Sequence, residues 1–447
     1  MKYEIDKQGV EIEIQLADKN IRIAKATDPR IDYAKLGEIS GGWHSDDAKV
    51  EFSSSPYTDI GDLGVNVASI VSKGMKLISS GVHPITIGCT PFFEDFASGH
   101  IHTSIIDMKK KSWIEMRRKL FNAQPLIALL SLNSPVVGSL VAGDVRLLLS
   151  KWSRFSDYES TSMDHWMALA YGMDGATLEV RIPSSGPIQQ ILGILLLIRV
   201  ILKEDVPSYP ILNTKENWNE VINYGSASMT RILLPTSITY HGLKNSECLI
   251  RSTDLWKAYL IDNKDNFKTE LEKLPSKLRS RVEEFYEYVA NGHTLSDGIY
   301  QSLMKFKDRS RFIDFLSSMS IGTYCGASIF DYLPKDPPSL YPVAEKYMTL
   351  DEFRDLVNKI MAKGFNNIKL YEADYINAVL HEPMILTNIA IRRVMDALSR
   401  EPIALDRIDR EIVNILVKHN IATVNEKLLV QGQQFAPIYY MIRRIVP

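Results

Sequence analysis

Four short stretches of this chain alternate apolar residues with acids or imidazoles, and that period limits what the chain can build. From Gly9 to Leu16, the apolar Val10, Ile12, Ile14 and Leu16 alternate with Glu11, Glu13 and Gln15. Successive side chains of a strand point to opposite faces, so Glu11 and Glu13 project side by side over an apolar underside. Lys49 to Ser53 repeats the pattern, with Glu51 up and Val50 and Phe52 down. His100 to Ile105 puts His100, His102 and Ser104 on one side, and Thr177 to Ile182 groups Thr177, Glu179 and Arg181.

Two readings follow. An antiparallel sheet with one face in water produces such alternation by itself. The other reading takes the four stretches together. Carboxylates that converge on one face repel unless cations neutralise them. Mg²⁺ takes carboxylate oxygens and helps to hold phosphates, and a histidine nitrogen would admit Mn²⁺. Arg181, beside Glu179, offers a planar donor for phosphate or carboxylate. That set suits nucleotide chemistry without a glycine-rich loop. The sequence has no P-loop, dinucleotide fingerprint or nucleophile elbow.

Composition narrows the class. The 447 residues carry 52 Lys+Arg against 54 Asp+Glu, a net charge of −2, which argues against a strongly basic nucleic-acid binder and an acidic tail. Cys89, Cys248 and Cys325 are too few and scattered for a zinc ribbon or a disulfide framework. Of the three, Cys89 in a loop could be a nucleophile, and the others read as core or surface. A reducing compartment, the cytoplasm, fits. The charged start, Met1 to Gln15, has no signal-peptide core. The run Ile191 to Leu202, broken by Arg199, reads as a buried helix too short for a bilayer.

Amphipathic spacing predicts helices at Trp113–Asn122, Val145–Phe155 and Gln189–Lys203. Helical spacing dominates after Glu216, with Leu255–Asp262, Ser276–Asn291 and Leu295–Met319 the clearest stretches. Four prolines between Pro334 and Pro342 mark a linker. The expected division is a core over 1–333 and a mostly helical accessory region over 343–447. Within the latter, Leu350–Lys363, Met384–Arg400 and Ile408–His419 read as helices. Residues Ile408 to Pro447 also have the outline of a small helix-turn-helix or winged unit, a reading set behind the accessory one.

Placed in order, these stretches resemble the carboxylate–amine ligases related to the second glutamate–cysteine ligase family. The resemblance rests on Gly9-x-Glu11-x-Glu13, Glu51 before Pro56, Gly81-x-His83-Pro84, His100-x-His102, Leu130-Ser131-x-Asn133-Ser134-Pro135, Leu178-Glu179-Val180-Arg181, and Asn217-Trp218 with Tyr224-Gly225. It spans about residues 8–230, fading towards 330. It implies an α+β, glutamine-synthetase-like fold: a curved, mainly antiparallel sheet with outer helices.

The implied reaction is ATP-dependent amide formation through an acyl phosphate, from small-molecule acid and amine substrates, with glutamate the expected acid. The resemblance implies Glu11, His102 and Glu179 at one cation beside the phosphates. Glu13 and Glu51 would hold another, with Asp46 or Asp47 as further ligands. Arg181 would face the transferring phosphoryl group. Arg146, on a helix after Pro135, would take the substrate carboxylate or be a surface arginine. His83 and His100 read mainly as structural. The chain departs from the pattern at Ser53-Ser54-Ser55, Pro183-Ser184-Ser185, Glu216, Asn219 and Asn223, where relatives place other, mostly charged residues. A ligase for another acid–amine pair and a nucleotide-binding regulatory protein stay open, as does a homo-oligomer. No membrane or nucleic-acid partner is expected.

Overall fold

The computed structural model describes residues 3–18, 28–36, 42–46, 49–79, 82–89, 97–106, 110–134, 155–156, 167–172, 177–204, 214–231, 249–306, 309–341, 343–344, 347–361, 389–418, 421–432 and 435. In chain order, the first half contains β1 (Ile5–Ala17), α1 (Tyr33–Leu36), β2 (Gly42–Asp46), β3 (Lys49–Ser53), α2 (Ile60–Ile78), β4 (His83–Ile85), β5 (Gly99–Ile105), α3 (Lys110–Phe121), α4 (Gln124–Ser131), β6 (Leu169–Tyr171), β7 (Leu178–Val180), α5 (Ile188–Lys203) and α6 (Thr214–Tyr224). Then come β8 (Met229–Arg231), β9 (Leu249–Arg251), α7 (Ser252–Asp262), α8 (Lys264–Leu271), α9 (Ser276–Ala290), α10 (Leu295–Lys305), α11 (Arg309–Tyr324) and α12 (Leu350–Met361). The last elements are α13 (Ile389–Leu398), β10 (Ile403–Ala404), α14 (Arg410–Lys418), β11 (Ala422–Asn425) and β12 (Leu428–Gln431). The class is the expected one, an open antiparallel sheet with many helices.

Among the described residues, the main sheet has seven strands in the order β2–β3–β1–β5–β7–β6, with β4 pairing the end of β1. Every pairing in it is antiparallel. Because the side-chain period is two, the pairing sends Val10, Ile12, Ile14, Val50, Phe52, Ile101, Leu178 and Val180 to one buried face. Helices cover that face. A methyl built on Gly74 of α2 would lie 2.1 Å from the Phe52 ring, and one on Gly99 would lie 3.0 Å from Ile191 of α5. So α2 and α5 both press on the apolar underside, and the glycine in α2 gives Phe52 its seat.

Asp59 caps α2, accepting from the backbone N–H groups of Gly61 at 2.7 Å and Asp62 at 3.0 Å. This helix adds to those expected from spacing; its three glycines, Gly61, Gly64 and Gly74, dilute the apolar stripe. The stretch Leu295–Met319 divides into α10 and α11. Phe306, just after α10, lies 6.0 Å from Phe312 and 5.4 Å from Phe315 between ring centres, so the chain breaks to fold one aromatic back on two others.

Helix α5 is buried along its length, and no helix among the described residues is long and apolar enough to cross a membrane. Its one interior charge is satisfied. Arg199 donates to Glu270 of α8 at 2.8 Å and to Gln8 of β1 at 2.7 Å. Glu270 also accepts from Lys203 at 2.5 Å and Lys273 at 2.8 Å. One buried carboxylate thus holds three cations and joins α5 to α8.

The proline segment lies against the core. Leu340 N–H donates to Asp297 at 2.9 Å, and the hydroxyls of Ser226 and Ser339 are 2.6 Å apart. Beyond it, Met348 N–H donates to Leu249 O at 2.7 Å, and Arg354 of α12 pairs with Asp262 at 2.9 Å. The C-terminal part holds a small sheet, β10–β12–β11, beside α13 and α14. Strands of two to four residues are too short to declare a period. The predicted helix Val145–Phe155 lies mostly outside the described residues, as do residues 384–388 and Cys248.

Burial alone would raise the Glu270 pKa, but hydrogen bonds from Lys203 and Lys273 and the charge of Arg199 hold it down at about 2, against 4.5 ordinarily. Its contribution to stability is therefore complete above about pH 4.5 and is lost as pH falls towards 2. Glu270→Gln is expected to destabilise the fold by about 3 kcal/mol at pH 7 in urea unfolding, by leaving Arg199 buried without its counter-ion. The variant should also lose less stability than the parent between pH 5 and about pH 2.

Candidate functional site

The register of four strands assembles the polar face. Across β1 and β3, Glu13 stands opposite Glu51; across β1 and β5, Glu11 stands opposite His100; across β5 and β7, His102 stands opposite Glu179. The stretches that alternate in the sequence are therefore neighbours in the sheet, with their acids and imidazoles on one face. Much of that face is out of water. Glu179 is 2% exposed, and Glu13, Glu51, His100 and Arg181 are 6% each. Glu11 and His102 are half-buried, so the face is enclosed around Glu13, Glu51 and Glu179 and opens to solvent at Glu11 and His102.

Glu11, His102 and Glu179 each offer one ligand atom, and these atoms all lie within 4.8 Å of one another. His102 Nε2 is 3.4 Å from Glu11 Oε2, and His102 Nδ1 is 3.2 Å from the Thr177 hydroxyl. His100 Nδ1 lies 3.2 Å from Glu11 Oε2 and 3.4 Å from Glu179 Oε1, while its buried Nε2 has no hydrogen-bond partner. Arg181 Nη1 donates to Glu179 Oε1 at 2.5 Å. Burial opposes ionisation of Glu11, but hydrogen bonds from His100 and His102 outweigh it and hold this carboxyl well below the usual range.

Glu13 and Glu51 would destabilise the sheet as like charges directly opposite. Lys49 intervenes, with its Nζ 3.1 Å from Glu13 Oε2, and the same oxygen accepts from Ser98 N–H at 2.6 Å. Ser53 donates to Glu51 at 3.4 Å.

The structure brings Glu11, Glu13, Glu51, His102, Glu179 and Arg181 to one face of one sheet. Arg146, Asp47 and Pro135 lie outside the described residues, and of Asp46 only the strand backbone is described. His83 stands apart, 3.3 Å from Asp314 of α11. Trp218 is a core aromatic with its ring centre 5.7 Å from that of Phe155, and Tyr224 is exposed beside Tyr341. Asn133 and Ser134 are buried near Gly88.

Two residues have larger places here than the sequence suggested. His100 reads as structural on its own; only the pairing with β1 puts it between two acids. Lys49 shares the parity of Glu51 two residues on, and that spacing was a usable sign of a cation on the acid face.

No protein-family model matches the chain, and no curated protein matches it. Solved structures do. The chain is similar to a glutamate–cysteine ligase from Francisella tularensis in complex with AMP, at 12% identity over 84% of this chain and 98% of that one, with a TM-score of 0.43. It is similar to a bifunctional glutathione synthetase from Pasteurella multocida at 10% identity, over 72% of this chain and 52% of that one, with a TM-score of 0.43. It is also similar to the complex between the prokaryotic ubiquitin-like protein Pup and its ligase PafA, at 8% identity over 83% of each chain, with a TM-score of 0.34. At these identities and scores the likenesses assign neither a family nor an activity.

Proposed function

We propose that the chain is an ATP-dependent carboxylate–amine ligase, glutamate–cysteine ligase-like, that joins a small acid and a small amine through an acyl phosphate, with glutamate the expected acid. The observation that carries this reading is the convergence of the half-buried Glu11 and His102 and the buried Glu179 within 4.8 Å. The stretches that supply them are the ones that resemble the ligase family. Acids without cations are a poor use of a buried surface, and this donor set suits a bound divalent ion.

Ligand atoms about 2.1 Å from Mg²⁺ in an octahedron lie about 3 to 4.2 Å apart. The three donors need only small side-chain movements to reach that spacing. The imidazole of His102 extends the fit to Mn²⁺. A divalent ion bound there supplies charge neutralisation for the phosphates of ATP.

The residues of the chain do the rest. Glu11, His102 and Glu179 hold the ion. His100, its Nδ1 3.2 Å from Glu11 and 3.4 Å from Glu179, orients these acids as outer partners do in metal sites. Arg181 is placed beside Glu179 to donate to the transferring phosphoryl group, where a fixed guanidinium stabilises developing charge. Glu13 and Glu51 remain the proposed acids of a second cation, with Lys49 as the counter-ion in its absence. In-line positioning on a rigid sheet then serves phosphoryl transfer, which asks little covalent help of the protein. Arg146 remains the proposed contact for the substrate carboxylate.

ADP release is measured with ATP, Mg²⁺ and a panel of acids paired with amines, with the amide identified by mass. Turnover is expected for at least one pair, and Glu179→Gln is expected to lower it by about 100-fold or more while the circular dichroism spectrum is retained. An unchanged rate removes Glu179 from the site, and no ADP release with any pair removes the ligase reading.

Metal binding is checked without turnover. Mn²⁺ or Mg²⁺ at about 100 times its dissociation constant should stabilise the protein by about 2.7 kcal/mol. The corresponding rise in melting temperature should be absent in Glu11→Gln and in His102→Ala. A rise of equal size in both variants places the ion elsewhere.

A further inference from the structure

The acid row on β1 ends in a second polar cluster, built of uncharged side chains. Gln15 follows Glu11 and Glu13 on the same face, with its Nε2 3.5 Å from Gly88 O. Asn133 frames the cluster. Its Oδ1 accepts from Gly88 N–H at 2.8 Å, and its Nδ2 donates to Ser185 O and to Gln190 Oε1, both at 2.7 Å. Gln190 in turn donates to Leu130 O at 2.7 Å. The frame is hydrogen-bonded throughout.

The side chains inside the frame are not. The hydroxyls of Ser134, Ser184 and Ser185 and both polar atoms of Gln189 are buried without a hydrogen-bond partner. These four residues are at most 2% exposed. Native proteins pair nearly all such groups, so four orphaned side chains between the end of α4 and the start of α5 need a reason.

Gly88 shows where two of them converge. A methyl built there would lie 2.5 Å from Ser184 Oγ and 3.2 Å from Ser134 Oγ. The backbone at Gly88 is not in the left-handed region that demands glycine, so the absent side chain serves the close approach of Ser184 and Ser134 to this bend. The cluster also abuts the acid row: Ser98 bridges to Ser184, and its N–H donates to Glu13 at 2.6 Å.

Hydroxyls and a carboxamide both donate and accept. With no cation or anion among them, they cannot compensate a buried ionised group. We propose that Ser134 and Ser184, beside Gly88, form a specificity subsite for an uncharged hydrogen-bonding end of a substrate, a carboxamide or a hydroxyl. The word substrate rests on the ligase reading; the recognition chemistry does not.

Calorimetric titration of the full chain tests the subsite without turnover, using L-glutamine, L-glutamate and L-norleucine as probes. Glutamine is expected to bind at least about 10-fold more tightly than norleucine, since a site built to hydrogen-bond a polar group rejects analogues lacking it; glutamate binding is read separately, as a test of the expected acid. Ser134→Ala and Ser184→Ala should bring that ratio close to one at an undiminished melting temperature, because each removes a polar atom that has no partner.

Absence of glutamine binding overturns the proposal, as does norleucine binding as tightly as glutamine. A ratio unchanged in both variants means that the hydroxyls hold internal water only. A lowered melting temperature in both means a structural role, and either result also overturns it. Glutamine binding with the expected ratio but no ADP release from any acid–amine pair sinks the ligase reading and leaves the subsite standing.

Discussion

Like charges facing each other on a buried face set the terms for this structure. Glu13 and Glu51 are direct cross-strand partners, and Glu11 and Glu179 flank the same pair of imidazoles. Their repulsion is stronger away from water, so each acid must have a positive or hydrogen-bonding partner within reach. Lys49 serves Glu13, His100 and His102 serve Glu11, and Arg181 serves Glu179. A sheet serving stability alone would do better with apolar side chains in these places, since buried ion pairs seldom outperform them. The acids are thus a cost to the fold that the proposed cation chemistry accounts for.

That chemistry requires the sheet to be held still, and α5 holds it. Near one end, Arg199 bonds to Gln8 of β1 and to Glu270 of α8. Near the other, Gln190 fixes Asn133, which in turn fixes Gly88. Nine residues of helix separate the two anchor points, about 13 Å along the axis. One buried rod therefore positions the start of β1, which leads into the acid row, and the uncharged cluster beyond its end. Movement of α5 relative to the sheet would disturb both places together.

How much of this could be read beforehand follows from the range of each signal. The faces of β1, β3, β5 and β7 were legible because a period of two needs only a few adjacent residues. The grouping of Glu11, Glu13, Glu51, His102 and Glu179 on one face followed from it, together with the family resemblance. Strand order was not legible, and with it went the meaning of His100, which depends on Glu11 lying across from it. Helix α2 was obscured by its glycines; the reason for Gly74 sits on another element, in the ring of Phe52. The small C-terminal sheet consists of strands shorter than any pattern can be. The hydroxyl cluster gave no signal at all, because Ser134 and Ser184 lie fifty residues apart and only folding leaves both without partners.

One strand orders the two halves of the proposed chemistry. Along β1 the same face carries Glu11, Glu13 and Gln15 in sequence. Four residues of strand span about 13 Å, so the ion-holding end and the uncharged end are separated by roughly the length of a small substrate. Charge declines along that line: Glu11 faces imidazoles and Glu179, Glu13 is already half-answered by Lys49 and a backbone N–H, and Gln15 is neutral. A group at the Gln15 end meets uncharged donors and acceptors beside the Lys49–Glu13 pair, whereas one at the Glu11 end meets acids suited to a cation. The alternation that makes β1 a strand therefore also gives it a direction, from a carboxylate–imidazole end to an uncharged one.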